Sequence, residues 1–183
     1  MCEPLFGPEV LRLSDPPIRA VWVTAGNPVV MLPESETTIK ALTSRDFVVV
    51  VDSFLTDTAR LAHLVLPTTT LLEADDLLGS YGHHWIGVAK PVVAPPEGVK
   101  SDLEIVQELA KRVGLAEVMA GSASDWKRRF IAPKLASHGI TLETLEAGAV
   151  RNPLPKKLLF ADRKFPTATG KANLMTEEPT ASA

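Results

Sequence analysis

The chain has 183 residues, enough to bury a core of its own, with a formal net charge of −3 and a pI near 5.8. That balance leaves no electrostatic footprint for nucleic acid or an anionic membrane, and no apolar run approaches the roughly 20 residues that span a bilayer. Hydrophobic residues make up 45% and aromatics only 5%, so the core must be aliphatic; the single cysteine excludes an internal disulfide and any multi-cysteine metal or iron–sulfur site within the chain.

Residues 1–17 show no hydrophobic period, and Pro4, Gly7, Pro8, Pro16 and Pro17 predict an irregular N-terminal segment. A basic n-region and an apolar h-region are both lacking, so no signal peptide is expected and the chain as given reads as cytoplasmic. Cys2 reads as an exposed terminal thiol.

Three short apolar runs follow, Ala20–Val23, Phe47–Val51 and Leu64–Leu66, separated by two segments of helical character. Continuous β-branched runs are what strands of a parallel sheet look like. Pro33 is compatible with a helix N-terminus, with Glu34 and Glu36 in its first turn and Ile39 and Leu42 facing inward. Thr56 or Asp57 can cap a second, shorter helix. The order β-α-β-α-β predicts an α/β fold: a three-layer, doubly wound, mostly parallel sheet, here with a C-terminal helical extension.

Such sheets bind ligands outside the carboxyl ends of their strands. The first strand runs into Gly26-Asn27-Pro28, where Gly26 can take a positive φ or admit a ligand to the backbone and Pro28 stiffens the exit. The second ends at Asp52-Ser53, followed by Thr56 at a helix start. A carboxylate is acceptor-only and can take two N–H bonds from one planar edge, such as that of guanine, while Thr56 offers a hydroxyl and backbone amides to phosphate. The spacing alone predicts a nucleotide pocket.

The pattern WVTAGNPV, then VVVVDSFLTDTARLAHLVLPTTTLLE, resembles the molybdopterin oxidoreductases of the dimethyl-sulfoxide-reductase type, which include formate dehydrogenases and nitrate reductases. It is similar to their third domain, one of two related α/β domains that grip bis-(molybdopterin guanine dinucleotide). The resemblance implies that Gly26, Asn27 and Pro28 admit the guanosine end, that Asp52 accepts from guanine, and that Ser53 and Thr56 hold ribose or diphosphate. Val51 stands where the family often has Gln, which removes one polar contact. Glu73 falls in the family's LPxxTxxE pattern and would brace the cofactor loops; a solvated loop carboxylate is the alternative. The metal ligand of the family lies upstream of this region, so Cys2 is not expected to bind molybdenum or tungsten.

Ala74–Trp85 contains Gly79 and Gly82 and resembles a polar return segment that passes near the pterin, where His83 would make a polar contact; a surface or internally satisfied histidine is the alternative. Adjacent His83 and His84 point to opposite faces of an extended segment and have no third ligand nearby, so they do not read as a metal site. His63 and His138 carry no chemical expectation. Lys90–Gly98 is a polyproline-like linker, and Ser101-Asp102-Leu103-Glu104 is a capping box opening a helix. Its apolar stripe is Ile105, Val106, Leu109, Ala110 and Val113, with Gly114 as the stop. From Ala116 to Val150 a helical extension is expected, starting at Ser122 or Ser124 with Trp126, Phe130, Ile131 and Leu135 inward. The triplet Lys127-Arg128-Arg129 reads as a solvated face. After an irregular connection, FPTATGKANL resembles the doorway to the family's fourth domain, a β-barrel.

The expected organisation is therefore 1–17 irregular, 18–115 a cofactor-binding α/β domain, 116–150 helical, and 151–183 a connection. The resemblance implies a piece of a molybdopterin-dependent oxidoreductase whose partners are the remaining domains or subunits of a parent, cytoplasmic or periplasmic. No catalytic residue is identifiable, and the chain alone is not expected to turn over substrate. A stand-alone guanine-nucleotide-binding module and a non-enzymatic assembly subunit are the other classes compatible with the sequence.

Overall fold

The computed structural model describes residues 3–80, 82–155 and 158–174; Cys2, Tyr81, Lys156, Lys157 and the residues after Leu174 lie outside it. The three apolar runs form parallel strands, β1 (Ala20–Thr24), β2 (Phe47–Asp52) and β3 (Leu64–Pro67), in the order β1-β2-β3. Trp22 pairs with Val49 and Val49 with Leu64, which sends Val21, Val23, Val48, Val50 and Val65 to one face. That face meets Phe6, Val29, Leu42, Ala59 and Leu61 from the helical elements, forming the first core cluster. Val48 and Val50 are fully buried, each stabilising the fold by about 1.5–3 kcal/mol.

The N-terminal segment is not irregular. Phe6–Arg12 forms helix α1, in which Pro8 occupies the first turn, where its missing N–H costs nothing. A Cβ on Gly7 would lie 3.0 Å from the Thr38 nitrogen, so glycine permits the close packing of α1 on the helix that carries Thr38. The first crossover is also split. Pro28, rather than Pro33, heads a one-turn helix α2 (Pro28–Met31), and α3 (Ser35–Thr43) follows a left-handed Glu34. Leu42 is buried as expected, but Ile39 is exposed, and Thr38 and Ala41 take the inward face. The second crossover is a single 3₁₀ turn, Ala59–Leu61.

The chain then builds a second, antiparallel sheet from β4 (Asp76–Leu78), β5 (Trp85–Ala89) and β6 (Val150–Arg151). This was not expected: the strands are short, and Gly79 and Gly82 read as loop. Helix α4 (Asp102–Arg112) begins at the predicted capping box, with both reciprocal bonds made, and Gly114 takes φ +76 beyond its end. The Ser101 backbone N–H, and then its hydroxyl, hold the Glu104 carboxyl below the usual range. Of the predicted stripe only Ile105 and Ala110 are buried; Val106, Leu109 and Val113 are exposed.

Helix α5 (Ala123–Leu135) is capped by Ser122 and runs through Pro133 without dividing, and α6 (Leu142–Ala147) follows. Ile131, Ile140, Leu142 and Leu145 pack with Leu77, Ile86 and Val88, so the helical extension covers the antiparallel sheet. Phe130 faces out, contrary to expectation, and Lys127 takes the buried position instead. Its ammonium pairs with Asp75, Arg128 pairs with Glu143 at 2.9 Å, and Arg129 stacks over the Trp126 ring at 4.6 Å. Of the basic triplet only Lys127 leaves the expected solvated face; Arg128 and Arg129 remain exposed.

Candidate cofactor-binding site

The loops at the carboxyl ends of β1 and β2 are held together by a small polar lock. Ala25 continues the ladder, its N–H donating to Val51 O at 3.0 Å, and then turns out of the strand with φ +50. The left-handed residue is therefore Ala25, not Gly26, because the last ladder bond is made one residue before the glycine. A left-handed alanine is uncommon and costs about 1 kcal/mol. A Cβ on Gly26 would meet only Thr24 O and Val23 Cγ1 at ordinary contact distances.

Asn27 follows as the N-cap of α2, with Pro28 at the first helical position. Its side-chain carbonyl accepts from Thr58 Oγ1 at 2.7 Å and from Thr58 N at 3.2 Å. Thr58, fully buried, also accepts from Val29 N at 3.1 Å. One threonine thus ties the loop after β2 to the loop after β1. Thr58 was not among the residues predicted for the site; the Thr-x-Thr spacing of Thr56 and Thr58, one capping outward and one inward, was the available signal.

Asp52 uses one carboxylate oxygen to accept from Phe54 N at 2.9 Å, an Asx-type turn that starts the loop. No donor among the described residues reaches its other oxygen, and no acceptor among them takes a hydrogen bond from the Asn27 amide NH₂. Ser53 donates to Thr69 O at 3.0 Å, and Thr56 Oγ1 accepts from Ala59 N at 3.1 Å, capping the 3₁₀ turn. The structure thus brings Gly26, Asn27, Pro28, Asp52, Ser53 and Thr56 to one end of the sheet, with Asn27 and Asp52 both half-buried. A carboxylate oxygen and an amide NH₂ left over in neighbouring loops suit a planar ligand edge that offers both donors and acceptors.

Glu73 and His83 lie elsewhere. Glu73 Oε2 accepts from Thr70 N at 2.8 Å and so closes the turn after β3, and the residue lines a separate cleft of about 700 Å³ shared with Asp75, Asp102, Trp126 and Lys127. His83 precedes β5 in the antiparallel sheet, its Nδ1 accepting from Trp85 N at 3.1 Å. His63 likewise accepts from Val48 N at 3.0 Å and sits 5.9 Å from the Phe47 ring, which makes it a strand brace. Among the described residues no group of three or more His, Cys, Asp or Glu side chains is placed to hold a metal ion.

An α/β unit with polar loops gathered at the carboxyl end of a parallel sheet is the form of a nucleotide- or dinucleotide-gripping module. Residues 8–112 match the family described as "Molybdopterin oxidoreductase", and the chain belongs to that family. It is 37% identical over 166 residues to "Probable oxidoreductase YyaE" of Bacillus subtilis, covering 89% of this chain and 24% of that protein. It is 34% identical over 180 residues to the "F420-dependent formate dehydrogenase subunit alpha" of Methanocaldococcus jannaschii, covering 93% of this chain and 26% of that one. Among solved structures it resembles acetylene hydratase from Pelobacter acetylenicus, with a TM-score of 0.66, 26% identity, and coverage of 93% of this chain and 24% of that one. The chain spans about a quarter of the length of these relatives. Membership implies a pterin cofactor carrying molybdenum or tungsten, and no helix among the described residues is long and apolar enough to cross a membrane.

Proposed function

We propose that this chain is one cofactor-gripping module of a molybdopterin-dependent oxidoreductase and that its strand-end loops hold the guanosine end of bis-(molybdopterin guanine dinucleotide). The observation that carries this is the pairing of Asn27 and Asp52 in two loops locked by Thr58, each with one polar group left for a ligand. Asp52 would accept from the ring N–H and exocyclic amine of guanine, and Asn27 would donate from its amide. Gly26 keeps the backbone open to the ligand, Pro28 fixes the exit, and Ser53 and Thr56 position the loop for ribose and diphosphate. Glu73 supports the neighbouring turn, and His83 would reach the pterin only as a peripheral polar contact. When bound, the metal and its dithiolenes supply the redox chemistry; the protein supplies grip and orientation. The remaining domains or subunits of the parent enzyme provide the metal ligand and the substrate funnel.

Calorimetric titration with GDP and ADP, on the wild type and on Asp52→Ala, tests the proposal. A hydrogen bond to a charged group is worth about 1.5–3 kcal/mol, so Asp52→Ala should weaken GDP binding by roughly 10- to 150-fold and ADP binding much less. Equal losses for both nucleotides remove the guanine assignment. No binding by a correctly folded chain favours an assembly subunit that keeps the fold without the ligand.

A further inference from the structure

The cleft that Glu73 lines is built from other elements than the strand-end loops. Helix α4, the connection before α5 and the N-terminal half of α5 close with residues 73–77 around about 700 Å³, a volume within the range of small-molecule sites. Its walls are apolar, with Leu77, Leu103, Val106, Met119, Trp126 and Phe130 contributing; Phe130 is 72% exposed. Its charge is of one sign. Glu73, Asp75, Asp76, Asp102 and Glu104 are set against a single cation, Lys127, which is 5% exposed and holds its ammonium on Asp75. Among the described residues no Arg or His lines the cleft, so the lining carries a net charge of −4, and only Lys100, near enough to help lower Glu104, offsets one end. Each carboxylate is anchored through one oxygen: Glu73 by Thr70 N, Asp75 by Lys127, Asp76 by Leu77 N, Asp102 by Thr68 Oγ1 and Glu104 by Ser101 N. The second oxygen of each accepts no hydrogen bond from a described residue.

We infer that this cleft binds an aliphatic polyamine, a methylene chain carrying two or more ammonium groups. The sign of the lining selects a cation and repels the diphosphate of a nucleotide. The spread of the carboxylates selects an organic cation over a metal ion, since among the described residues no three His, Cys, Asp or Glu side chains are placed to hold one. Ammonium groups set apart by methylenes can meet separated carboxylates one at a time, each donating up to three hydrogen bonds. The methylenes then lie along the apolar walls, as a lysine stem lies along apolar surface. Because the acceptors are already anchored, little ordering of the protein opposes binding. The inference is independent of the guanosine reading, which rests on the ends of β1 and β2.

Titration with spermidine tests it, by amide chemical-shift perturbation on the isotopically labelled chain and by calorimetry on the protein from its native source. Saturable shifts are expected at Asp76, Leu77, Leu103, Gln107 and Met119, with a Kd below about 1 mM. Hexanediol, which has methylenes without charge, and Mg²⁺, which has charge without methylenes, should leave these amides unmoved. Asp76→Asn keeps an acceptor for Leu77 N, and Phe130→Lys adds a cation at an exposed position of the wall. Each should weaken spermidine binding about tenfold, whereas Glu36→Gln, the same charge change on α3, should not. Unsaturable shifts scattered over exposed carboxylates such as Glu36, or an equal response to Mg²⁺, would overturn the inference. So would wild-type affinity in both cleft variants, or binding by the isolated chain that the native form does not show. GDP shifts at the strand ends are read on the same labelled sample, so failure at either site leaves the other reading standing.

Discussion

Replacing Thr58 by valine removes one hydroxyl while keeping the shape of the side chain, and the structure gives the cost. The hydroxyl accepts from Val29 N at 3.1 Å and donates to Asn27 Oδ1 at 2.7 Å, and the residue is fully buried. Val29 is also buried, so its N–H, one of the orphan donors of the first turn of α2, would be left without partner or water. An unpaired buried donor costs about 1–3 kcal/mol and the lost bond to Asn27 about 1 kcal/mol more. The sum is about 3 kcal/mol, which for a chain of this size lowers Tm by roughly 9 °C. Thr58→Ser keeps both bonds and loses one methyl, at about 0.8 kcal/mol. Urea unfolding followed by circular dichroism reads both variants against the wild type at constant m-value. A Thr58→Val variant within 0.5 kcal/mol of wild type, or one more stable than Thr58→Ser, would show that the lock does not hold the two loops.

Removing Asp75 should be worse than removing its partner: Asp75→Ala strands the Lys127 ammonium, whose side chain is only 6% exposed, at about 3 kcal/mol, whereas Lys127→Met should cost less than about 1.5 kcal/mol by chemical denaturation. Gly7→Ala should destabilise by about 1–3 kcal/mol, since the added methyl meets the Thr37–Thr38 backbone at 3.0–3.1 Å, and a neutral result would mean that α1 shifts freely on α3. Ser101→Ala should cost about 1 kcal/mol at neutral pH, and the cost should shrink as acid protonates Glu104, whose carboxylate accepts from the Ser101 N–H and hydroxyl and is held below its ordinary range by them. The acid limb of stability follows the same sign: Glu108, beside Lys111 and Arg112, and Glu143, bound by its own backbone N–H and by Arg128, are both lowered from 4.5 to about 2. Their contribution is full above pH 4.5 and lost as pH falls toward 2, so thermal melts between pH 5 and pH 2 should decline steadily; both ion pairs lie at the surface, so added salt should flatten the slope.

The parallel strands were legible because β-branched runs such as Phe47–Val51 have few other uses, and the cap at Ser101 because a capping box is a local rule. What could not be read depended on distant partners. Helix α1 exists because Gly7 lets it approach α3, a contact that crosses some 30 residues of sequence, and the short β4–β6 sheet is specified by α5 and α6 packing on it. Lys127 carried a surface composition signal until Asp75, far away in the chain, took it inside. At the site, the chemistry of Asp52 and Asn27 was visible from their place at strand ends. That Asn27 spends its carbonyl on Thr58, and that Ala25 rather than Gly26 makes the turn, required the register of β1 against β2.

The most direct test of the account is to map GDP onto the isotopically labelled chain by amide chemical-shift perturbation. Shifts should concentrate at Gly26, Asn27, Ser53, Phe54 and Thr56, and Asp52→Ala should move them to roughly 10- to 150-fold higher GDP concentration. Shifts centred instead on the cleft around Asp75, Trp126 and Lys127, or spread without regard to the ends of β1 and β2, would contradict it.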